Sequence, residues 1–260
     1  MAKRICKTPI GIFDSGLGGL SVLAELKKVM PSESYIYFAD TKNIPYGNKT
    51  PEEIIKFGRD IINFFILKGV QHIVIACNTS SALSYGVLCK EFPNIKIYPL
   101  IQSVAPTLAK HNSLAVLATE ATVNSEKYSK EIKKYNKMAY VQEIPCPNFV
   151  EIVESGRYNS PSTLEIIDDI FEKLDDVDKI VLGCTHYPFL LDTFSKFIPK
   201  EAFIDPSKIF AKKVFEDIER ENQGTIFDLP KCEFYATSNP EDFKEKAKKL
   251  FNFNEEVQLA

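Results

Sequence analysis

The sequence has little that would place it in a membrane, on nucleic acid or outside the cell. Its longest apolar runs, such as Ile73–Cys77, are far shorter than the roughly 20 residues that span a bilayer. The formal net charge is −3, so there is no excess of positive charge for nucleic acid or an anionic membrane. After the basic start only Pro9–Phe13 is apolar, which is too short for a cleaved signal. We therefore expect a cytoplasmic globular protein of one or two domains.

The six cysteines form no C-x-x-C pair, so neither a zinc ribbon nor a thioredoxin-type site is indicated. Without a secretion signal they are expected to be reduced thiols. The simplest interpretation of a scattered cysteine is a small buried apolar side chain. We apply this interpretation to Cys6, Cys89, Cys146 and Cys232. The other two cysteines differ because of the residues around them.

Short apolar segments alternate with longer segments of helical periodicity along the chain. The near-continuous hydrophobicity of the short segments is typical of strands that are buried on both faces. Thr50 followed by Pro51 predicts a helix start, and Gly69 predicts the end of that helix. The predicted strands are Ile10–Phe13, Tyr35–Ala39, Ile73–Ala76, Ile95–Tyr98, Leu114–Ala118, Ala139–Gln142, Ile180–Gly183, Ala202–Ile204 and Glu233–Ala236. This alternation predicts an α/β fold with largely parallel sheets, whose active sites lie at the carboxyl ends of strands.

A weak internal repeat relates two of these strand ends. The segment Ile73–Thr79 aligns with Ile180–His186, and each has an apolar strand, a small residue, a cysteine and then polar residues. The two cysteines, Cys77 and Cys184, are 107 residues apart (184 − 77). Since repeats usually produce similar substructures, we predict two related α/β lobes, each with one cysteine at a strand end.

Reactive or polar residues follow several predicted strands. The first strand ends in Asp14–Gly19, a glycine-rich turn that can bring backbone N–H groups close to an anion. Cys77 is followed by a predicted helix with Thr79, Ser80 or Ser81 as its cap. The positive end of that helix is expected to lower the thiol pKa from ~8.5 towards neutrality. Among the three histidines, only His186 follows a cysteine at a strand end, which favours a functional role for it.

Two thiols in equivalent positions fit few reactions. If they flanked one small molecule, one thiolate would remove a proton from a carbon while the opposite thiol supplied a proton to the other face. Such a stereoinversion needs one thiolate and one thiol at a time, so each cysteine needs a titratable neighbour. Asp14 is the candidate neighbour for one cysteine and His186 for the other.

Four motifs together resemble those of the glutamate racemases, enzymes that make D-glutamate for bacterial peptidoglycan without a cofactor. They are Gly11–Gly19, Pro45–Gly47, Ala76–Thr79 and Gly183–Pro188, and they occur in the order and over the length typical of that family. The C-terminal 60 or so residues carry little of the resemblance. Ala39 stands where many members have glycine, which we expect to be harmless.

The resemblance implies roles for individual residues. Cys77 and Cys184 would be the acid/base cysteines, with Asp14 assisting the first and His186 the second. The family segment Cys-Pro-x-Phe-Val-Pro-x-x-Glu matches Cys146–Glu154 and selects Glu154 as the partner of His186, although Glu151 replaces its second proline. The catalytic set is therefore Cys77, Cys184, Asp14, Glu154 and His186. The substrate-binding set is Asp14, Ser15, Tyr46, Gly47, Asn78, Thr79, Thr119, Thr122, Thr185 and His186.

The family fold implies two similar three-layer α/β lobes with the active site in the cleft between them. The first lobe would comprise residues 1–100 and 211–260, and the second residues 101–210. The resemblance further implies a small-molecule substrate, glutamate, with no pyridoxal phosphate, no metal, and no nucleic-acid or membrane partner. Because family members are often dimeric, a homodimer is a further expectation.

Three alternatives remain open from the sequence alone. An aspartate racemase or related thiol isomerase would share the motifs, since one methylene changes pocket energetics by only ~1–3 kcal/mol. A redox sensor could use Cys77 and Cys184 as a switchable pair, but it would leave Asp14 and His186 without a role. A phosphotransferase is less consistent still, because the turn after Asp14 lacks a second carboxylate for Mg²⁺.

Overall fold

The computed structural model describes residues 8–221 and 230–260, so the predicted core residue Cys6 lies outside the described residues. Within these ranges there are ten strands. They are β1 (Ile10–Asp14), β2 (Tyr35–Ala39), β3 (His72–Ile75), β4 (Lys96–Pro99), β5 (Ser113–Ala118), β6 (Tyr140–Pro145), β7 (Lys179–Gly183), β8 (Phe203–Ile204), β9 (Cys232–Ala236) and β10 (Val257–Leu259).

Helices connect these strands. They are α1 (Leu20–Val29), α2 (Pro51–Leu67), α3 (Asn78–Leu83), α4 (Tyr85–Glu91), α5 (Leu100–Leu108), α6 (Glu120–Ser125), α7 (Lys127–Lys133), α8 (Phe149–Ser155), α9 (Pro161–Phe171), α10 (Leu191–Phe194), α11 (Pro206–Glu221) and α12 (Pro240–Phe251). Short 3₁₀ turns at Thr41–Asn43, Tyr46–Asn48, Tyr187–Leu190 and Lys200–Ala202 complete the described elements.

The strands form two sheets with the same internal order. The first sheet runs β10-β9-β2-β1-β3-β4 and the second β6-β5-β7-β8, and all the described pairings are parallel. In each sheet, the strand that comes first in the sequence lies between the second and the third. In the first sheet β1 lies between β2 and β3, and in the second sheet β5 lies between β6 and β7. Cys77 follows β3 and Cys184 follows β7, so the two cysteines occupy equivalent places, as the sequence repeat predicts.

Three large apolar clusters define the layers. One contains Ile12 of β1, Val116 of β5 and Val214 of α11, so it is shared by the two sheets and the helices between them. The alternate residues Phe13 and Leu117 belong to two further clusters, one on the outer face of each sheet. This period-two alternation gives each sheet two apolar faces covered by helices. We call the first sheet with its helices the first lobe, and the second sheet with its helices the second lobe.

The predicted α/β class with mostly parallel sheets is confirmed, and the nine predicted strands correspond to β1–β9 with shifts at their ends. The helix after Cys77 begins at Asn78, with Cys77 itself at the N-cap position, so the predicted caps Thr79, Ser80 and Ser81 lie inside it. The strand β10 was not predicted from the sequence. Among the described residues, no helix is long and apolar enough to cross a membrane.

The helix α2 shows how local sequence sets an element. The side chain of Thr50 accepts a hydrogen bond from the backbone N–H of Glu53, and the Glu53 carboxylate accepts one from the backbone N–H of Thr50. This reciprocal pair satisfies two N–H groups that the first turn would leave unpaired. The helix ends before Gly69, which adopts a left-handed φ of 75°. The predicted start and stop of this helix are therefore confirmed.

Removing this cap should lower the stability of the fold. We expect Thr50→Ala to reduce the free energy of unfolding by about 1 kcal/mol, measured by urea denaturation. Thr50→Ser keeps the accepting hydroxyl and should remain close to the parent. An unchanged midpoint for Thr50→Ala would show that the capping box contributes nothing.

Candidate active site

One cavity of about 260 Å³ lies where the carboxyl ends of the two sheets face each other. Both Cys77, from the end of β3, and Cys184, from the end of β7, contribute to its wall. The loop of Tyr46 and the turn of Thr119 close other parts of the wall. Each sheet therefore delivers one thiol to the same small space, at the position in an α/β fold where ligands bind.

Cys77 lies in a strongly buried environment next to a carboxylate. Its side chain is 5% exposed, and the carboxyl group of Asp14, at the end of β1, is fully buried nearby. Burial and the charge of Asp14 raise the pKa of the Cys77 thiol, outweighing the backbone N–H groups of Ser80 and Thr79. The predicted lowering of this pKa is therefore wrong. The amides of the helix start act in the expected direction, but desolvation is larger.

The carboxyl group of Asp14 is held by both lobes. Its Oδ1 accepts from the backbone N–H of Gly16 at 2.9 Å, and its Oδ2 accepts from the hydroxyl of Thr185 in the second lobe at 3.2 Å. Burial raises the pKa of Asp14 despite these bonds and the charge of His186. A carboxyl group with a raised pKa next to a thiol can exchange protons with it more readily than an ordinary aspartate can.

Cys184 lies at one end of a series of polar side chains that contact one another. Its Sγ lies 3.9 Å from Nδ1 of His186, and Nε2 of the same ring lies 3.0 Å from Oε1 of Glu154 on α8. Burial by itself lowers the pKa of His186, but the hydrogen bonds to Cys184 and Glu154 outweigh it and raise the pKa to about 10. The ring is therefore an imidazolium at neutral pH, and its Nδ1 faces the sulfur of Cys184.

Hydroxyl and amide groups line the cavity and join the two lobes. The hydroxyl of Thr79 on α3 lies 2.9 Å from that of Thr119 and 3.3 Å from that of Thr122. The hydroxyl of Tyr128 donates to Oδ1 of Asn78 at 2.7 Å. Asn78 also lines the cavity, and its side-chain amide carries two N–H donors of the kind that suit an anionic ligand.

The loop after β2 is fixed by a buried carboxylate. Asp40 accepts hydrogen bonds from the hydroxyl of Tyr46 at 2.6 Å, the amide of Asn43, and the hydroxyl of Thr237 beyond β9. Tyr46 is itself buried against Cys77. The return of the chain through β9 therefore helps to hold one wall of the cavity.

Glycine at two positions allows the lobes to approach each other. A Cβ atom at Gly18 would lie 2.3 Å from Oγ1 of Thr185 and 2.8 Å from Nδ1 of His186. A Cβ atom at Gly47 would lie 2.9 Å from Cβ of Thr119. Both positions belong to motifs noted in the sequence, and in each case the reason for glycine is close packing against the opposite lobe.

Most of the predicted site residues meet at this cavity. Ser15, Tyr46, Gly47, Asn78, Thr79, Thr119, Thr185 and His186 line it together with the two cysteines. Three others lie behind the wall of the cavity. Asp14 is hydrogen-bonded to Thr185, Glu154 to His186, and Thr122 to the two lining threonines. Five further residues line the cavity but were not predicted from the sequence, namely Pro45, Asn48, Glu120, Pro147 and Val150. Four of them flank or lie within motifs that were noted, and Glu120 directly follows Thr119.

The other three cysteines within the described ranges do not line this cavity. Cys146 is fully buried, as expected for a core residue, whereas Cys89 and Cys232 are only partly buried. In residues 8–221 and 230–260, no group of three or more His, Cys, Asp or Glu side chains is placed to hold a metal ion. The expected absence of pyridoxal phosphate and metal stays a prediction.

Comparison with known proteins identifies the family. The sequence profile of the Asp/Glu/Hydantoin racemase family matches residues 20–214, more than half of the chain. The chain belongs to this racemase family. Glutamate racemase from Carboxydothermus hydrogenoformans is 38% identical over 247 residues, which is 94% of this chain and 92% of that protein. The resemblance to glutamate racemases predicted from four motifs is thus confirmed.

Solved racemase structures share the whole fold. Glutamate racemase from Francisella tularensis, in complex with D-glutamate, is 30% identical with a TM-score of 0.90, covering 97% of each chain. Glutamate racemase from Thermus thermophilus, in complex with beta-chloro-D-alanine, is 31% identical with a TM-score of 0.87, covering 98% of this chain and 97% of that one. The likeness includes the C-terminal residues, for which the motifs gave little support.

The different surroundings of the two thiols predict different reactivity. At pH 7.5 we expect iodoacetamide to alkylate Cys184 faster than Cys77, because the protonated ring of His186 lies beside the sulfur of Cys184, whereas burial and the charge of Asp14 raise the pKa of Cys77. The two side chains are similarly buried, at 7% and 5% exposed, so access does not favour either. Peptide mass spectrometry resolves the rate at each cysteine.

A control separates the effect of His186 from that of access. His186→Asn should slow alkylation of Cys184 and leave the rate at Cys77 unchanged, with fully buried Cys146 as an internal reference. Faster reaction at Cys77 than at Cys184 in the parent would contradict the assignment of charges.

Proposed function

We propose that this chain interconverts L- and D-glutamate by two-base proton transfer at Cα, with Cys77 and Cys184 as the two bases. The observation that carries the proposal is that both thiols, delivered by equivalent strands of two sheets, line one cavity of about 260 Å³. A proton can then leave one face of Cα while another arrives at the opposite face. Membership of the racemase family and the named relatives support glutamate as the substrate.

The resting protonation states suit one direction. The protonated ring of His186 lies 3.9 Å from the sulfur of Cys184, while the raised pKa of Cys77 keeps that residue a neutral thiol. In the assignment taken from the resemblance, Cys184 acts on L-glutamate and Cys77 on D-glutamate. L-Glutamate would then lose its α proton to the Cys184 thiolate, and the Cys77 thiol would reprotonate the carbanion from the other side.

The reverse direction needs the opposite arrangement. Cys77 must give up its proton before D-glutamate can react, and the neighbouring carboxylate of Asp14 is the base placed to receive it. Cys184 must be protonated, and His186 is the acid 3.9 Å from its sulfur. Asp14 and His186 thus have corresponding tasks at the two thiols.

The substrate's charged groups would meet donors and acceptors from both lobes. The amide of Asn78, held by Tyr128, and the hydroxyls of Ser15, Thr79 and Thr185 are suited to the α-carboxylate and the α-amino group. The predicted binding residues Tyr46, Gly47 and Thr119 complete this wall. Neither Asp14 nor Thr122 contributes to the cavity surface, so in substrate binding they would hold lining residues, in addition to the proton transfer proposed for Asp14.

Several expectations accompany the proposal. The enzyme would need no pyridoxal phosphate or metal, would act in the cytoplasm, and would supply D-glutamate for peptidoglycan. The domain division into residues 1–100 with 211–260 and residues 101–210 stays a prediction, and so does a homodimer. The small-molecule substrate is supported by the relative from Francisella tularensis, which was solved in complex with D-glutamate.

Deuterium exchange tests the two-base proposal. In D₂O the purified protein should racemise either enantiomer of glutamate and place deuterium at Cα of the product. Cys77→Ser and Cys184→Ser should each lower racemisation by about 100-fold or more. Because one base would remain, Cys77→Ser should still exchange the α proton of L-glutamate slowly, and Cys184→Ser that of D-glutamate. Polarimetry and proton NMR measure inversion and exchange separately.

Matched controls exclude general effects of losing a thiol. Cys89→Ser, outside the cavity on α4, should racemise at the parent rate.

Parallel assays with aspartate separate a glutamate racemase from an aspartate racemase. Racemisation at the parent rate by a double variant, Cys77→Ala with Cys184→Ala, would refute the mechanism, and reversible disulfide formation without racemisation would favour a redox sensor.

The close approach at Gly18 gives a second test. The methyl group of Gly18→Ala would displace Thr185 and the ring of His186, so we expect a loss of about 10- to 100-fold in kcat/KM for glutamate. Gly86→Ala is the matched control, because a Cβ atom there meets nothing within 4 Å. Equal activity of the two variants would show that the contact is not needed for the reaction.

A further inference from the structure

We propose that Lys246, on the last helix of the first lobe, is a positioning residue for the acid/base chain of the second lobe. Its Nζ lies 3.4 Å from Oε2 of Glu154, whose other oxygen, Oε1, lies 3.0 Å from Nε2 of His186. A continuous chain therefore runs from Lys246 through Glu154 and His186 to the sulfur of Cys184. This inference rests on the proposed racemase function.

The helix that carries Lys246 is anchored to the first sheet. Phe243 and Ala247 of α12 are buried in the cluster shared by the two lobes, and the helix packs on β9 and β10. One turn further, Phe251 meets Phe189 of the second lobe edge to face, with ring centroids 5.0 Å apart. Phe189 follows His186 by three residues. The helix α12 thus contacts the second lobe twice, once through an apolar ring pair and once through an ion pair.

The ion pair has a defined geometry and a second partner. Lys246 also lies 3.1 Å from Oδ2 of Asp242, one turn earlier on α12, and this contact holds its side chain towards α8. Lys246 is 38% exposed and Glu154 only 18%, so the carboxylate is the more buried member. Since Glu154 uses one oxygen for His186 and the other for Lys246, the lysine fixes the rotation of the carboxylate that receives the imidazole N–H.

The charges around Glu154 determine what Lys246 changes. Among the described residues, the cations that act on its carboxylate are His186 and Lys246. The hydroxyl groups of Tyr37 on β2 and of Tyr158 are also affected by its charge. Gly16 of the first lobe approaches Oε1 from another side. Burial raises the pKa of Glu154, but His186 and then Lys246 outweigh it and hold this pKa below its usual value. Removing the lysine should therefore raise the pKa of Glu154.

Two measurements on Lys246→Met test the inference. As pH falls, protonation of Glu154 ends its bond to His186, so the acid limb of kcat/KM for glutamate should move to higher pH. At pH 7 the variant should lose up to about fivefold in kcat/KM, the size expected for a partly exposed ion pair. Independently of activity, the acid inflection in the His186 ring signal, recorded by NMR, should move to higher pH as well. The chain has three histidines, so His186→Asn assigns that signal.

Two further variants separate positioning from a general effect on the helix. Lys246→Arg keeps the charge and should restore both pH profiles. Lys249→Met removes a lysine of the same helix whose partner, Glu245, is exposed and on α12 itself, so it should match the parent. Circular dichroism over the same pH range verifies that each variant is folded.

The outcomes distinguish this inference from the proposed function. The role of Lys246 would be overturned if the His186 inflection and the acid limb stayed unchanged in Lys246→Met. It would also be overturned if Lys249→Met produced equal shifts. Either result would count against Lys246 even if the parent racemises glutamate. If the parent racemises nothing but the His186 inflection moves as expected, the proposed function fails while the link from Lys246 to His186 stands.

Discussion

The rest of the site depends on one constraint: the carboxyl ends of the strands of two parallel sheets face each other across one cavity. A parallel sheet presents functional side chains at one edge only, so a single sheet reaches one side of a small molecule. Inverting a carbon centre requires groups on two opposite sides. This chain meets that requirement by repeating one strand order twice, β2-β1-β3 and β6-β5-β7, with a cysteine after the third strand of each set. The apolar cluster shared by both sheets fixes the distance between the edges.

The two thiols occupy equivalent positions in the two sheets, but the groups around them differ. Cys77 lies beside a buried carboxyl group, and Cys184 lies beside an imidazolium held by a second carboxylate. Two thiolates in one small cavity would repel each other, and indeed the charge of Cys184 is among the causes that raise the pKa of Cys77. The two sulfurs therefore have different electrostatic neighbours, as the proposed proton transfer from one side of a carbon to the other requires.

Local sequence patterns predicted the elements because burial on both faces leaves a continuous apolar segment at each strand. They also paired Cys77 with Cys184, since the repeat places both at strand ends. The strand Val257–Leu259 carries no such pattern, and it is recognised in the structure by its pairing with β9. The predicted direction of the pKa shift at Cys77 was wrong for a related reason. The depth of burial of this thiol and its nearness to Asp14 are set by the tertiary fold.

Other parts of the site were equally hidden from the sequence. Thr122 belongs to the predicted binding set, but it lies behind the wall, bonded to Thr79 and Thr119. Lys246 lies in a helix rich in lysine and glutamate, where nothing local distinguishes it from Lys249. Only the packing of α12 against the second lobe brings one of these lysines to Glu154. Motifs at strand ends thus predict which residues meet, whereas their charge states depend on contacts made by distant segments.

The contacts that join the lobes are also the contacts that set protonation. Thr185 of the second lobe bonds Asp14 of the first, and Lys246 of the first lobe pairs with Glu154 of the second. Widening the cleft would break both, and it would admit water to groups whose pKa values depend on burial. The carbanion of the proposed reaction needs a dry cavity and correctly charged thiols at the same time. Because the same interactions supply both conditions, the acid/base groups reach their working states only when the lobes are together.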